Sequence, residues 1–255
     1  MSHLRQRISA CVITRNESAQ LAACLERLTW ADEIVVVDDE STDGTVEIAK
    51  GITPRVFVRN KEGDFASQRN FALDQATGDW VLFVDADERV TDPLRDEMLA
   101  VVAHSVRVGY YVRRQDIHFG HAFRYGESLR VPILRLARRD AGRWIGRVHE
   151  TWQVSGPTAV LREPLLHYSH ADISDFLRKV DYQTTLGCER LLEEGRGAAP
   201  WELLAYPIGS FVRNYVLRQG FRDGLPGFIL ACLMALHPFL SRAKLWERRS
   251  RPPAA

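Results

Sequence analysis

The chain is 255 residues long, 45% hydrophobic, with 34 Lys and Arg against 33 Asp and Glu. These are ordinary values for a globular protein that buries a substantial core, and so even a charge balance makes no demand for nucleic acid. The four cysteines, Cys11, Cys24, Cys188 and Cys232, are scattered with no C-x-x-C pair, which argues against a disulfide framework or zinc knuckle and fits a reducing compartment.

The opening stretch MSHLRQRISACVITRNES has only a short apolar run before charged residues and lacks the features of a signal peptide, so a cytoplasmic location is expected. ISACVIT (8–14) predicts a strand, and behind it Leu21, Cys24, Leu25 and Leu28 recur at helical spacing. EIVVVDD (33–39) predicts a second strand, followed by STDGT and a short helix through Ile48 and Lys50. RVFV (55–58) predicts a third strand, and FASQRNFALDQATG (65–78) a helix closed by Gly78. WVLFV (80–84) reads as a fully buried fourth strand. After it, TDPLRDEMLAVVAH (91–104) reads as a helix with Asp92 at the cap and Pro93 at the first helical position. Strands alternating with helices imply an α/β fold with a mostly parallel sheet covered on both faces.

From about Gly109 to Tyr168 the pattern turns β-rich, in YYVRR, RVPILRLARR and TAVLREPLLHYS. Beyond Ser174 it turns helical. The expected organisation is a catalytic domain over 1–170, divided into halves 1–104 and 105–170, with a helical extension over 171–255. The longest apolar stretch, Gly227 to Leu236, is bounded by Pro226 and His237-Pro238, shorter than the ~20 residues a membrane-spanning helix needs. Arginines and a lysine flank it on both sides. That pattern fits either a helix lying in a membrane interface or a buried helix with a solvated basic tail.

Three predicted strands end in polar groups: Thr14-Arg15-Asn16-Glu17, Asp38-Asp39-Glu40-Ser41, and Asp85-Ala86-Asp87-Glu88. In open parallel sheets ligands bind beyond the carboxyl ends of the strands, so three such ends on one edge point to a site. No G-x-G-x-x-G or G-x-x-x-x-G-K-[ST] loop follows the first strand, which excludes the usual dinucleotide and triphosphate cradles. Asp85 and Asp87, separated only by Ala86, are hard oxygen donors at a spacing that suits Mg²⁺ or Mn²⁺ bridging a diphosphate. Such a cation would also relieve the repulsion among three acids in four positions.

Taken together, CVITRNES, VVVDDESTDGT, QRNFAL and WVLFVDADE, in that order and spacing, resemble the inverting family-2 glycosyltransferases with the GT-A fold. GRVHETW (146–152), LLHYSH (165–170) and GFRDGLPGF (220–228) extend the resemblance to a bacterial branch that includes β-glucosyltransferases of the lipopolysaccharide inner core. The resemblance implies a UDP-sugar donor whose uracil or ribose meets Asp38 or Asp39, in a pocket lined by Thr14, Arg15, Asn16 and Glu17. Many family members carry a small residue where Asp39 stands, so the division of labour between the two acids stays open. It implies further that Arg69 and Asn70 face the nucleotide, and that Asp85 and Asp87 hold it with its metal, Asp87 as direct ligand.

Inverting transfer needs a base for the acceptor hydroxyl. The resemblance points to Glu150 in VHET, with His149 as the neighbouring alternative. Trp144 and Trp152 are candidate sugar-stacking faces, and His167 and His170 candidates for a further metal ligand, His170 being the one carried forward. The implied acceptor is a lipid-linked or lipopolysaccharide-core molecule at the inner membrane surface. A sugar nucleotidyltransferase and a non-catalytic sugar-binding member of the fold are the competing readings.

Overall fold

The apolar runs become buried strands in a computed structural model that describes residues 5–126, 131–147, 150–197 and 199–250. In chain order the first elements are β1 (Ile8–Thr14), α1 (Leu21–Glu26), β2 (Glu33–Asp38), α2 (Thr45–Ile52), β3 (Val56–Val58), α3 (Phe65–Gln75), β4 (Trp80–Asp85), β5 (Glu88–Arg89), α4 (Asp92–His104) and β6 (Gly109–Val112). The β-rich stretch follows: β7 (Arg114–His118), β8 (His121–Ala122), β9 (Ile133–Arg138), β10 (Gly142–Ile145), β11 (Thr151–Val154), β12 (Thr158–Val160) and β13 (Leu165–His170). The helices α5 (Ile173–Glu193), α6 (Glu202–Phe211) and α7 (Gly224–Ser250) come last, with a π-helical turn over Val212–Leu217 and a short 3₁₀ turn over Gly220–Asp223 between the final two.

Contacts divide the chain into two units. The first comprises Met1–Arg114 and Val131–Tyr168, the second Gln115–Arg130 and Ser169–Ala255. The segment 115–130, expected with the sheet, therefore groups with the helices.

In the first unit seven strands form a sheet in the order β12-β6-β9-β4-β1-β2-β3. β1 pairs in parallel with β2 and β4, and β9 runs antiparallel to both β4 and β6. The sheet is thus mostly parallel with one reversed strand, as the α/β reading required. Central strands covered on both faces read as continuous apolar runs, which is why EIVVV and WVLFV lack alternation. Ala10, Val12, Val36, Leu82 and Val84 face α1 and α4, while Cys11, Val35, Val37, Val81 and Phe83 face α3 and the β10–β11 hairpin. The register sets Thr14 beside Asp38 and Ile13 beside Asp85, bringing the three polar strand ends to one edge.

Local differences from the sequence reading have clear causes. Thr91, not Asp92, caps α4: its hydroxyl accepts from the Leu94 amide at 3.3 Å, leaving Asp92 and Pro93 inside the first turn. α3 stops at Gln75, before Gly78. Gly78 serves close approach instead, since a Cβ there would stand 2.7 Å from Ser9 Oγ and 2.9 Å from the Arg7 carbonyl.

In the second unit, Phe123, Phe176, Val180 and Leu230 form one small core, and Cys188, Leu191 and Leu245 another. α7 runs unbroken through Pro226 and Pro238. A proline removes one helical hydrogen bond, but packing along the rest of a helix can carry it through. The apolar segment is therefore not ended at His237-Pro238, and the helix over Gly220–Ser250 is long and apolar enough, by length and composition, to cross a membrane.

Candidate active site

The acids after β4 are answered by arginines. Asp85 Oδ1 accepts from Arg69 Nη2 at 2.9 Å and Oδ2 from Arg135 Nη2 at 2.5 Å. Arg135 Nη2 also reaches Glu88 Oε1 at 2.9 Å, and Arg114 Nη1 lies 3.5 Å from the same oxygen. The other Glu88 oxygen accepts the Asp85 amide at 2.9 Å, closing the turn on itself. Desolvation pushes the Asp85 carboxyl up, but the charges of Arg135 and Arg69 outweigh it and hold the group well below the usual carboxylate range. Glu88 is fully buried, and there desolvation, joined by the negative charge of Asp85, outweighs Arg135 and raises its pKa. Guanidinium groups therefore relieve the repulsion between Asp85 and Glu88. Ala86 turns its side chain into the core, and its carbonyl accepts from Arg89 Nη1.

Arg69 bridges Asp85 to Glu150. Its Nε donates to Glu150 Oε1 at 2.8 Å while Nη2 holds Asp85, and its guanidinium lies 4.7 Å from the Trp144 ring centroid. The side chain is buried, so it ties two carboxylates together beneath the cleft surface. Asn70 clamps backbone: its Nδ2 donates to the Trp144 carbonyl at 2.8 Å and its Oδ1 accepts the Trp144 amide at 2.9 Å. Both residues were expected to face a nucleotide; these contacts give them bridging and clamping roles.

Glu150 enters β11, which pairs with β10 so that Trp144 and Trp152 stand opposite each other. The two indoles stack with centroids 5.5 Å apart, and each meets Phe83 edge-on at 5.1 Å. This packing buries both indoles almost completely, yet both still line the neighbouring cleft. A cleft of about 580 Å³ opens beside them, lined in part by Asp85, Arg114, Arg135 and Glu150. His149, the alternative base, lies outside the described residues.

At the β1 and β2 ends the acids are held by nearby donors. Asp38 is fully buried and accepts from the Ser41 amide at 2.8 Å and the Ser41 hydroxyl at 2.5 Å. Asp39 receives Arg15 Nη1 at 2.8 Å, Lys61 Nζ at 2.9 Å and the Lys61 amide at 2.9 Å. Desolvation raises its carboxyl, but these bonds and the Lys61 charge bring it below its ordinary value. Asn16 adopts a left-handed backbone, φ 54°, with its amide on Ser41 Oγ and its Oδ1 accepting the Thr42 amide at 2.8 Å. The Glu17 amide donates to Thr45 Oγ1 at 2.8 Å. The Thr14 side chain is buried, and its carbonyl accepts the Asp39 amide.

For a metal, the useful donors are Asp87 and His167. The Tyr168 amide donates to the Asp87 carbonyl at 2.7 Å, laying β13 along the turn and bringing His167 Nε2 to 3.3 Å from Asp87 Oδ2. Among the described residues no guanidinium is paired with Asp87, which is partly open to solvent. One carboxylate and one imidazole fit a Mg²⁺ or Mn²⁺ ion that completes its shell on diphosphate and water. Asp85, already neutralised by two arginines, is a poor donor. His170, the histidine carried forward from the sequence, lies 3.6 Å from Asp175 on α5 and stacks edge-on with Phe176. Among the described residues no cluster of three or more His, Cys, Asp or Glu is arranged to hold a metal ion.

Sequence reasoning missed Arg135, Arg114 and Lys61. The available signal was a charged residue at an inward position of the apolar run VPILRLAR. An arginine there must find acids or leave a buried charge unpaired.

The family model described as glycosyl transferase family 2 matches residues 9–166, and the chain belongs to that family. It is 32% identical over 251 residues to the lipopolysaccharide core biosynthesis glycosyltransferase LpsC of Rhizobium meliloti, covering 95% of this chain and 93% of that one. An uncharacterized glycosyltransferase of Rickettsia felis is 28% identical over 256 residues, covering 95% and 90%. Among solved structures, S. aureus TarS aligns with a TM-score of 0.49 at 17% identity, over 96% of this chain and 92% of that one.

Proposed function

We propose that this family 2 glycosyltransferase moves a hexose, glucose by the sequence resemblance, from a UDP-sugar to a lipopolysaccharide-core or other lipid-linked acceptor, with inversion and with help from a divalent cation. The observation that carries the reading is the pairing of Glu150 and Asp85 on one cleft, joined through Arg69, with Asp87 and His167 at the same strand end. The likeness to LpsC along nearly the whole of both chains supports the core acceptor and, with it, a working place at the cytoplasmic face of the inner membrane. The edge formed by Thr14, Arg15, Asn16, Glu17, Asp38 and Asp39 supports a nucleotide pocket.

In the transfer step the acceptor oxygen forms a bond to the anomeric carbon as its proton passes to the Glu150 carboxylate. The bond from that carbon to the β-phosphate oxygen breaks, its electron pair leaving with UDP. Arg69 keeps Glu150 oriented beforehand. Asp87 and His167 would hold the divalent cation, which when bound supplies Lewis acidity to the leaving diphosphate. General-base action of this kind contributes about 10²–10⁴-fold.

UDP release from UDP-glucose, measured with purified protein and a core oligosaccharide acceptor, tests the reading. Glu150→Gln should lower turnover by about 10²–10⁴-fold with UDP affinity unchanged. Full turnover of that variant would remove Glu150 from the chemistry, and full turnover of Asp87→Ala would remove the metal role. Release of pyrophosphate in place of UDP would replace the reading with nucleotidyl transfer.

A further inference from the structure

The helical unit carries an extensive exposed apolar surface, in which Phe228 also meets the rings of Phe211 and Tyr215 edge-on. Along α7, Leu225, Phe228, Cys232, Leu236, Phe239 and Trp246 follow one another at intervals of three, four, four, three and seven residues. At 3.6 residues per turn these positions form a single stripe, and all six are exposed, Leu225 to 70% and Trp246 to 55%. Gly227, Leu230, Ala231, Ser241 and Leu245 occupy the opposite side of the same helix and are buried. On α6 and the turns after it, Leu204, Ile208, Val216, Leu217 and Phe221 are exposed as well. A patch this extensive on a protein surface marks a binding face.

Charge selects the occupant. Residues 199–255 contain eight Arg and Lys against three Asp and Glu, so the rest of this nearly neutral chain is acidic. Cations therefore gather where the apolar stripe lies: Arg213, Arg218 and Arg222 before it, Arg248 and Arg249 at its end. A self-association face would bring these like charges together, whereas anionic lipid phosphates neutralise them.

The rest of α7 fixes how it meets lipid. Lys244 Nζ donates to Asp181 Oδ1 at 2.7 Å, to Thr185 Oγ1 at 2.7 Å and to Thr184 Oγ1 at 3.0 Å, all on α5, and Arg242 pairs with Glu202 on α6 at 3.2 Å. A spanning orientation would put these polar contacts in hydrocarbon, so the helix is built to lie in the plane of the interface. We propose that the exposed face of α6 and α7 is a docking surface for an anionic lipid bilayer, with the Leu225–Trp246 stripe sunk into the headgroup–acyl boundary and the flanking arginines on lipid phosphates. This rests on, and narrows, the membrane location in the reading above.

Vesicle flotation of the full chain needs neither donor nor acceptor, so its outcome and that of the transfer assay are separable. The probes are phosphatidylcholine vesicles and the same vesicles with about one third phosphatidylglycerol. The wild-type protein should float with the anionic vesicles, release as salt rises, and bind pure phosphatidylcholine more weakly. Phe228→Glu with Phe239→Glu should lower the bound fraction about tenfold, with the thermal melt and UDP affinity retained. Arg218→Glu with Arg222→Glu should remove the preference for phosphatidylglycerol. Unchanged flotation of the apolar double variant overturns the proposal. So does conversion of a dimer to a monomer by that variant with vesicle binding intact, which would make the face a contact between two copies of the chain.

Discussion

Two strand ends on the same sheet edge carry clustered acids, and they are neutralised in opposite ways. At the end of β2, Asp38 takes its donors from Ser41, three residues on, and Asp39 from Lys61 and from Arg15, whose side chain is more than half exposed. At the end of β4, Asp85 and Glu88 take theirs from Arg69 on α3 and from Arg135 and Arg114 on distant strands, and Arg135 is buried. The first cluster is a pair of buried acids answered from neighbouring loops, with one partner, Arg15, reaching in from solvent. The second is a buried ionic lattice whose members hold one another in place. Under the proposed function the first cluster would line the nucleotide pocket, and the second would hold the base Glu150 in place through Arg69.

The contrast makes its largest prediction at Arg135. Arg135→Met leaves Glu88 fully buried with the Asp85 amide and, among the described residues, Arg114 at 3.5 Å as its one cation, and should cost about 3–5 kcal/mol in urea unfolding. Adding Glu88→Gln should recover part of that loss, because no uncompensated charge then remains. If Arg135→Met unfolds no more easily than wild type, the lattice does not hold the fold and the contrast fails.

Next in size is the pH dependence of the same lattice. Asp85 titrates lower in the folded chain than its ordinary 3.8, so its contribution is complete above that pH and drains away as pH falls toward the depressed value. Glu88 titrates above its ordinary 4.5, so stability falls as pH rises from there through the raised value. In urea midpoints measured against pH, Asp85→Asn should flatten the acid limb and Glu88→Gln the rising side. Identical pH profiles for both variants and wild type would defeat the assignment.

Asn70 gives a smaller effect, about 1–3 kcal/mol for Asn70→Ala, since two backbone groups of Trp144 lose their partner together. Hydrogen exchange at the Trp144 amide should quicken with it. An unchanged exchange rate would mean that the hairpin holds itself.

Much of this was readable beforehand, and the failures share a cause. The strands at 8–14, 33–38 and 80–85 were legible because apolar runs between turn residues have few other outcomes, and three polar strand ends on one edge follow from parallel pairing. Arg135 was not legible because its partners lie 47 and 50 residues back, and only the antiparallel pairing of β9 with β4 brings them within reach. Trp144 and Trp152 read as a stacking platform, because the Phe83 ring that fills the space against them lies far back in the sequence, on β4, and only the fold brings it there. Pro238 reads as a stop signal in isolation, yet α7 continues beyond it with Ser241 and Leu245 buried. In each case a local rule was overruled by a contact from elsewhere in the chain.

The smallest predicted effect belongs to the exposed partner of the β2 cluster. Arg15→Gln removes one cation from Asp39, while Lys61 keeps both its ion pair and its amide bond to the same carboxylate. Because Arg15 is largely exposed, solvent already screens that pair, and the loss should be about 1 kcal/mol or less. It should shrink further in high salt, where exposed ion pairs fade over a few ångströms, whereas the penalty for Arg135→Met should persist because the buried lattice is little screened. Urea unfolding of both variants at low and high salt decides it. Parallel salt responses would mean that the two strand ends are electrostatically alike, and that the division between an edge answered partly from solvent and a buried lattice has no physical basis.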